Sequence, residues 1–223
     1  MQRRLSAVVP VLDEERSIGA TLERLAPVAD EILVADGGSR DRTAAIAAAA
    51  GAVLVEAPRG RAAQMNEGAR RARGDALLFV HADTLVPAAA RDAILAALDD
   101  GAVGGAFELR FDARGAVYRL GERVASLRSR WTGLAFGDQA QFALRETFER
   151  LGGFAGWPLL EDFDLARRLR AAGRVAILRP PVVTSARRFQ RLGPLRTVLR
   201  NWRILWLHGR GVAPERLAEI YRR

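Results

Sequence analysis

Residues 6–43 read SAVVPVLDEERSIGATLERLAPVADEILVADGGSRDRT, and the alternation inside this stretch decides the fold class. Ser6–Val11 is a short valine-rich run, as expected of a strand buried on both faces. Over Glu15–Leu25 the period changes: Ile18, Leu22 and Leu25 fall at helical spacing. Glu31–Ala35 is a second strand, and Asp41–Ala50 an alanine-rich helix closed by Gly51. The unit then repeats, with Val53–Glu56 as strand, Arg61–Ala72 as helix ending near Gly74, and Ala76–His81 as a strongly apolar strand. Strands alternating with short helices predict an α/β domain, with a mostly parallel sheet covered by helices on both faces.

Downstream the pattern is less regular. Ala90–Leu98 and Tyr118–Trp131 read as helices, Val103–Phe111 as a strand that closes or extends the sheet, and Gln139–Leu144 as extended. Leu151–Pro158 reads as a loop, Asp162–Ala172 as a helix and Val175–Leu178 as the last strand, with Pro180-Pro181 breaking the chain. Leu195–His208 places Leu195, Val198, Leu199, Trp202, Leu205 and Trp206 on one helical face and Arg196, Arg200 and Arg203 on another. Such a stripe predicts a helix packed on the domain; the competing account is an interfacial helix making peripheral membrane contact through 195–208. Pro214-Glu215 starts a final short helix. The expected organisation is one domain over 1–190, with halves 1–84 and 85–190, and an amphipathic helical extension over 191–223.

Composition narrows the classes. The 223 residues are 49% hydrophobic and contain no cysteine, which excludes a disordered chain, a disulfide scaffold and a zinc-thiolate module. Every basic residue is arginine. The net charge of +9 is uneven: residues 1–112 carry −4 and residues 113–223 carry +13. An arginine-rich second half suits an anionic neighbour, whether phosphate, acidic lipid or nucleic acid. No apolar run approaches the roughly 20 residues of a membrane span, and Asp13-Glu14-Glu15 interrupts the N-terminal apolar run before a signal-peptide core forms. A cytoplasmic protein is expected, with membrane attachment at the inner face only if the interfacial account of 195–208 holds.

In parallel sheets ligands gather beyond the carboxyl ends of strands. Three strand ends here carry polar residues: Pro10 to Glu15, Asp36 to Thr43, and His81-Ala82-Asp83-Thr84. They are expected to share one acidic rim. Asp36 before two glycines suits close approach of a ribose or base, and Asp41 suits a helix cap. Asp83, at the end of the most apolar strand, suits either a cation or a cap.

The ordered set Pro10…Asp13-Glu14, Asp36-Gly37-Gly38-Ser39-x-Asp41-x-Thr43, Gly60-Arg61…Asn66-x-Gly68…Gly74-Asp75, His81-Ala82-Asp83 and Glu161-Asp162 resembles family-2 glycosyltransferases of the GT-A, Rossmann-like fold. It is most similar to a small bacterial branch with a His-Ala-Asp-Thr motif. The resemblance implies a nucleotide-diphospho-sugar donor, with Pro10, Glu14, Asp36, Arg61, Asn66 and His81 on the nucleotide-sugar side. It also implies Mg2+ or Mn2+ held by Asp83, which matches the last aspartate of the family's Asp-x-Asp motif. His81 replaces the first; contact with ribose, metal ligation and a bond to neighbouring backbone all stay open for it.

The same resemblance assigns catalysis to Asp162, with Glu161 beside it, as the base of an inverting transfer. It puts Asp138 and Gln139 on the acceptor side. Trp157 reads equally as a stacking surface for a sugar or lipid acceptor and as a loop anchor. The family's histidine after the catalytic helix is not evident; His208 lies far along the chain, which leaves Arg187 and Arg188 as the diphosphate clamp. The acceptor is unspecified, with a lipid-linked or hydrophobic one implied by the interfacial account. A degenerate binding module and a sugar nucleotidyltransferase are the alternative readings. No RNA- or DNA-binding element is present, and no nucleic-acid partner is expected.

Overall fold

The computed structural model describes residues 3–222, apart from the side chains of residues 188, 195 and 222. Leu5–Val11 (β1), Glu31–Asp36 (β2), Val53–Glu56 (β3) and Ala76–Phe79 (β4) are separated by helices Ile18–Leu25 (α1), Thr43–Ala49 (α2) and Arg61–Arg71 (α3). These four strands pair in parallel in the order β3-β2-β1-β4. The second half adds Thr84–Leu85 (β5), Ala90–Asp99 (α4), Gly104–Phe111 (β6), Ala116–Thr132 (α5), a 3-10 turn at Gly137–Gln139, Phe142–Leu144 (β7) and Arg145–Arg150 (α6). Glu161–Ala172 (α7), Val175–Thr184 (β8), Arg187–Leu192 (α8), Pro194–Gly209 (α9) and Pro214–Arg222 (α10) follow. The sheet continues β4-β7-β6-β8-β5, with β7 antiparallel to both neighbours and β8 parallel to β6.

Alternation along each strand feeds two cores. Ala7, Val9 and Val11 of β1 face α1 and α4 with Leu22 and Ile94, while Val8 faces α3 and α7 with Met65 and Leu165. Gly68 is required where α3 crosses β1, because a Cβ there would lie 2.4 Å from Val8 Cγ1. Phe79, Phe148 and Phe154 pack ring to ring at 4.8–5.5 Å and anchor the loop after α6.

Three expectations are corrected. The last strand runs through Pro180-Pro181 to Thr184, because its pairing with β6 jumps from Phe107–Leu178 to Leu109–Val182. The prolines thus sit in a bulge where the ladder asks for no N–H. Residues 139–144 are not wholly extended, since a 3-10 turn ends at Gln139 and β7 begins only at Phe142; α6 follows it, unforeseen.

The third correction concerns α9. Leu199, Trp202 and Trp206 are 60%, 63% and 57% exposed. The face turned inward carries Thr197 and Ile204, with His208 against Trp157 and Phe163. Ile204 joins Leu160 and Leu217 in a small core that α10 completes. Leu205 and Leu207 pack against the same core, so of the predicted stripe Leu205 docks while Leu199, Trp202 and Trp206 face outward; the Leu195 side chain lies outside the described residues.

Candidate active site

The loops after β1 and β2 are stitched together by side chain to backbone bonds. Asp13 Oδ1 accepts the Arg40 N–H (2.8 Å), Ser39 Oγ accepts the Asp13 N–H (3.0 Å) and Thr43 Oγ1 accepts the Glu14 N–H (2.8 Å). Asp41 accepts the Thr43 N–H at 2.9 Å from one residue before the N-cap position, Arg42, so it closes the turn into α2 and does not occupy the cap expected of it. Asp36 Oδ1 closes its own turn, accepting the N–H groups of Gly38 (3.1 Å) and Ser39 (2.9 Å) and the Ser39 hydroxyl (2.7 Å). Asp36, Gly37, Gly38, Glu56 and Ala57 line a cavity of about 310 Å3. Beneath it Gln64 of α3 donates to the carbonyls of Val11 (2.6 Å) and Ala35 (2.9 Å), tying the tips of β1 and β2.

The tip of β4 lies beside this rim. Arg187, at the start of α8, bonds Asp83 Oδ2 at 2.9 Å and reaches Glu14 Oε2 at 3.3 Å. A cation therefore already stands against both carboxylates, and hard oxygen donors of this kind suit Mg2+ or Mn2+. No three His, Cys, Asp or Glu side chains among the described residues converge on one point that could hold a metal ion. Such an ion would need oxygens from a ligand to complete its shell, which is how Mg2+ is usually held at diphosphates.

The opposite wall is built at the N-terminus of α7. Asp162 is 8% exposed, and its carboxylate accepts the N–H of Gly137 on Oδ2 and of Phe163 on Oδ1, each at 2.7 Å. Gln141, buried in the turn before β7, donates to the Asp162 carbonyl (2.9 Å) and fixes its backbone. Gly137 also lets the His81 ring approach: a Cβ there would lie 2.7 Å from His81 Nε2 and 3.1 Å from Asp162 Oδ2. His81 and Asp162, from different halves of the chain, thus border one small space.

Charge is concentrated here. Burial pushes the Asp138 carboxyl up to about 6, with the Asp162 charge adding to the shift and Arg128 and Arg61 opposing it. Burial raises Glu161 too, and Asp162 adds to it; Glu161 Oε1 bonds Arg61 Nε at 2.7 Å while its buried Oε2 has no hydrogen-bond partner. Burial acts to lower Arg61, but Glu161 and Asp162 outweigh it and hold the guanidinium above its ordinary value. Arg128 of α5 lies 4.2 Å over the Phe136 ring and is lowered by burial.

Glu14, Asp36, His81, Asp83, Asp138, Glu161, Asp162 and Arg187 are thus all borne by the rim or by the α7 wall. Several other candidates make structural contacts. Pro10 is buried within β1, in register with Ala35. Asn66 spends both ends of its amide on Phe154, donating to its carbonyl (2.9 Å) and accepting its N–H (2.8 Å). Gln139 is 1% exposed and bonds the Phe107 carbonyl, Ser129 and the Phe136 N–H. Arg61 pairs with Glu161 rather than standing over the nucleotide pocket. Trp157 is half-buried with its ring 5.7 Å from that of His208. His208, despite its distance in sequence, returns to the start of α7, while the Arg188 side chain lies outside the described residues. Gln64 and Gln141 escaped sequence reading because nothing marks a buried glutamine that bonds backbone.

The sheet order and this rim define an α/β domain with an acidic cleft at the carboxyl ends of its parallel strands. The model for glycosyl transferase family 2 matches residues 6–156, and the chain belongs to that family. Glucosyl-3-phosphoglycerate synthase of Mycolicibacterium paratuberculosis is 34% identical over 98 residues, 38% of this chain and 30% of that protein. The same enzyme of Mycolicibacterium smegmatis matches equally, over 32% of its length, so the match spans about a third of these relatives. Among solved structures, the mannosyltransferase PcManGT from Pyrobaculum calidifontis, in complex with GDP-Man and Mn2+, superposes with a TM-score of 0.65 at 25% identity, covering 100% of this chain and 69% of that one. S. aureus TarS (residues 1–349) superposes at 0.62 and 19% identity, over 82% of this chain and 60% of that one, a likeness of fold.

Proposed function

We propose that the protein transfers a sugar from a nucleotide-diphospho-sugar to a hydroxyl acceptor in one displacement that inverts the anomeric carbon. The observation that carries this reading is the meeting of three parts at one sheet edge. These are the Asp36 cavity for the nucleoside, the Glu14–Asp83 pair for a cation and diphosphate, and the buried Asp162 carboxylate across the cleft. The complex of the related mannosyltransferase with GDP-Man and Mn2+ supports it.

In the proposed reaction the acceptor oxygen attacks the anomeric carbon as the bond from that carbon to the diphosphate breaks. The acceptor proton passes to Asp162, and the electron pair of the broken bond leaves with the nucleoside diphosphate. A positioned general base typically contributes about 10²–10⁴ in rate. The backbone N–H groups of Gly137 and Phe163 fix the carboxylate's orientation while leaving lone pairs for the acceptor. Asp138, carrying a proton up to about pH 6, sits on the acceptor side. Asp83 would hold Mg2+ or Mn2+ together with the diphosphate oxygens, and the bound ion supplies Lewis-acid stabilisation of the leaving group. Arg187, next to Asp83, is placed to pair with the same diphosphate.

The acceptor in this reading is hydrophobic or lipid-linked, with peripheral membrane contact through 195–208. In support, α9 exposes Leu199, Trp202 and Trp206 while its other face rests on Trp157 and Phe163 beside the base. No helix among the described residues is long and apolar enough to cross a membrane.

Calorimetric titration of UDP, GDP, CDP and dTDP, each with and without Mn2+ or Mg2+, tests the donor side. One nucleotide binding with metal, and losing that binding in Asp83→Ala, is expected. Failure of all four with either metal would leave a family-2 domain that does not bind donors, and the transferase reading would fall.

A further inference from the structure

The transfer chemistry leaves one surface of α5 unused. Val117, Leu120, Val124, Leu127 and Trp131 recur at spacings of three and four residues and form one stripe along the helix. They are exposed by 51%, 62%, 52%, 56% and 84%. The other side of α5 faces inward, where Glu122 accepts the Phe111 N–H (2.8 Å) and Ser129 bonds Gln139 (3.0 Å). The stripe is therefore the outward face of a docked helix.

Beside it lies a cavity of about 450 Å3 between α5 and strands β6 and β8, with Leu127 of the stripe in its wall. Four arginines line it: Arg110, Arg123, Arg130 and Arg179. Glu108 takes up Arg130 and Arg179, and Glu122 takes up Arg119. Arg110 and Arg123 have no ion pair among the described residues. An apolar ridge thus adjoins a cavity that presents two uncompensated guanidinium groups, the donor type best fitted to phosphate.

A second copy is the obvious rival occupant, since alternating valine and leucine at heptad spacing suits a two-stranded coil. Charge argues against it. The positions flanking the stripe carry Arg123, Arg128 and Arg130 and no acidic residue, and of the three only Arg130 has an ion pair among the described residues, so a paired copy would set Arg123 and Arg128 against like charges. Helix α9 has the same character, with Arg196 and Arg203 exposed, Arg200 laid over the Tyr221 ring, no acidic residue, and two exposed tryptophans. The two helices also flank one wall of the site. Arg128 of α5 covers Phe136, Phe136 stacks on Phe163 at 5.9 Å, and Phe163 meets His208 of α9 at 6.0 Å. Exposed tryptophans with surrounding arginines are complementary to the headgroup region of an acidic bilayer.

We infer that α5, together with the exposed stripe of α9, seats the protein on an anionic membrane surface, with a lipid phosphate headgroup entering the arginine-lined cavity beside Leu127. The seat extends beyond the contact through α9 and is independent of the transfer reaction; it would hold for a chain with no transferase activity.

Co-sedimentation of the full chain with vesicles tests it, using phosphatidylcholine alone and phosphatidylcholine mixed with phosphatidylglycerol. Binding to the mixed vesicles is expected to exceed that to phosphatidylcholine by about tenfold or more and to weaken with salt. The triple variant Leu120→Ser, Leu127→Ser, Trp131→Ser and the double variant Arg110→Gln, Arg123→Gln should each lose about tenfold in binding with an unchanged melting temperature. Should the triple variant fail to fold, quenching by brominated lipid decides, since Trp131→Phe should lose part of the quenching. No binding to either vesicle, or binding that all these variants leave unchanged, would overturn the proposal. So would a dimer seen by light scattering that the triple substitution dissolves while vesicle binding is absent, because a second copy would then be the occupant.

Discussion

Arg187 Nη2 lies 2.9 Å from Asp83 Oδ2 and 3.3 Å from Glu14 Oε2, so one guanidinium joins carboxylates that follow two different parallel strands. The hydrogen bond to Asp83 holds Arg187 above its ordinary value against the effect of burial, with the charges of Asp83 and Glu14 adding to it. The cation and the proposed metal compete for the same oxygens, whereas the cation and a diphosphate attract. Arg187→Gln should therefore shift two affinities in opposite directions. Mn2+ alone should bind a few-fold more tightly, since a half-exposed ion pair is worth at most about 1 kcal/mol. The cognate nucleoside diphosphate with Mn2+ should bind about tenfold more weakly, for loss of a charge-assisted bond. Calorimetry reads both, and weaker binding of Mn2+ alone would show that Arg187 does not cover the cation position.

Asp162 and Asp83 should separate chemistry from binding. Asp162→Asn keeps the side chain's shape but replaces one acceptor oxygen by a donor, beside two backbone N–H groups that now have one partner. Nucleoside diphosphate affinity is expected to change less than threefold, while turnover falls by about 10²–10⁴. Asp83→Ala should do the reverse, abolishing the metal dependence of donor binding. Full turnover in Asp162→Asn would remove the base from the mechanism.

The first half of the fold was legible because strands such as Ala76–Phe79, buried on both faces, read as continuous apolar runs between helices of the right length. In the second half β7 has three residues, β5 has two, and β8 passes through two prolines, so long-range pairing rather than local pattern makes them strands. The site divides the same way. Asp83 and Asp162 stand where the chain turns out of strand β4 or into helix α7, and their position announces them. Asn66 and Gln139 have residue types that suit ligands, yet both are consumed by backbone groups brought near by the fold. The docking face of α9 was hard to read because Ile204, Leu205 and Leu207 share it with Thr197 and His208, while Val198, Leu199, Trp202 and Trp206 stay exposed.

Asn66 gives a direct check of that distinction. Its amide clamps Phe154 in both directions at 2.8 and 2.9 Å, and the Phe154 ring is buried against Phe79. Asn66→Ala should cost about 1–3 kcal/mol, from two lost bonds and backbone groups left without a partner. Thermal unfolding should show the loss, and nucleoside diphosphate affinity at a temperature where the variant is folded should match the parent. A variant with unchanged stability and weakened nucleotide binding would return Asn66 to the donor site.

Asp138 links the site to stability through pH. Its carboxyl is raised from 3.8 to about 6, first by burial and then by the neighbouring Asp162 charge. Between those values the folded protein holds a proton that the unfolded chain has released, so stability falls as pH rises from about 4 to 6. Above pH 6 the full penalty of the buried charge is present, and below pH 4 it is absent. A shift of about two units corresponds to roughly 3 kcal/mol at most, and partial exposure of the group reduces it. Asp138→Asn removes the charge while keeping the volume. It should therefore raise stability by about 1–3 kcal/mol at pH 8 and leave it nearly unchanged at pH 4, as measured by denaturant unfolding at the two values. Equal stabilisation at both pH values would mean that packing rather than charge distinguishes the variant, and that the carboxyl at 138 titrates as an ordinary aspartate.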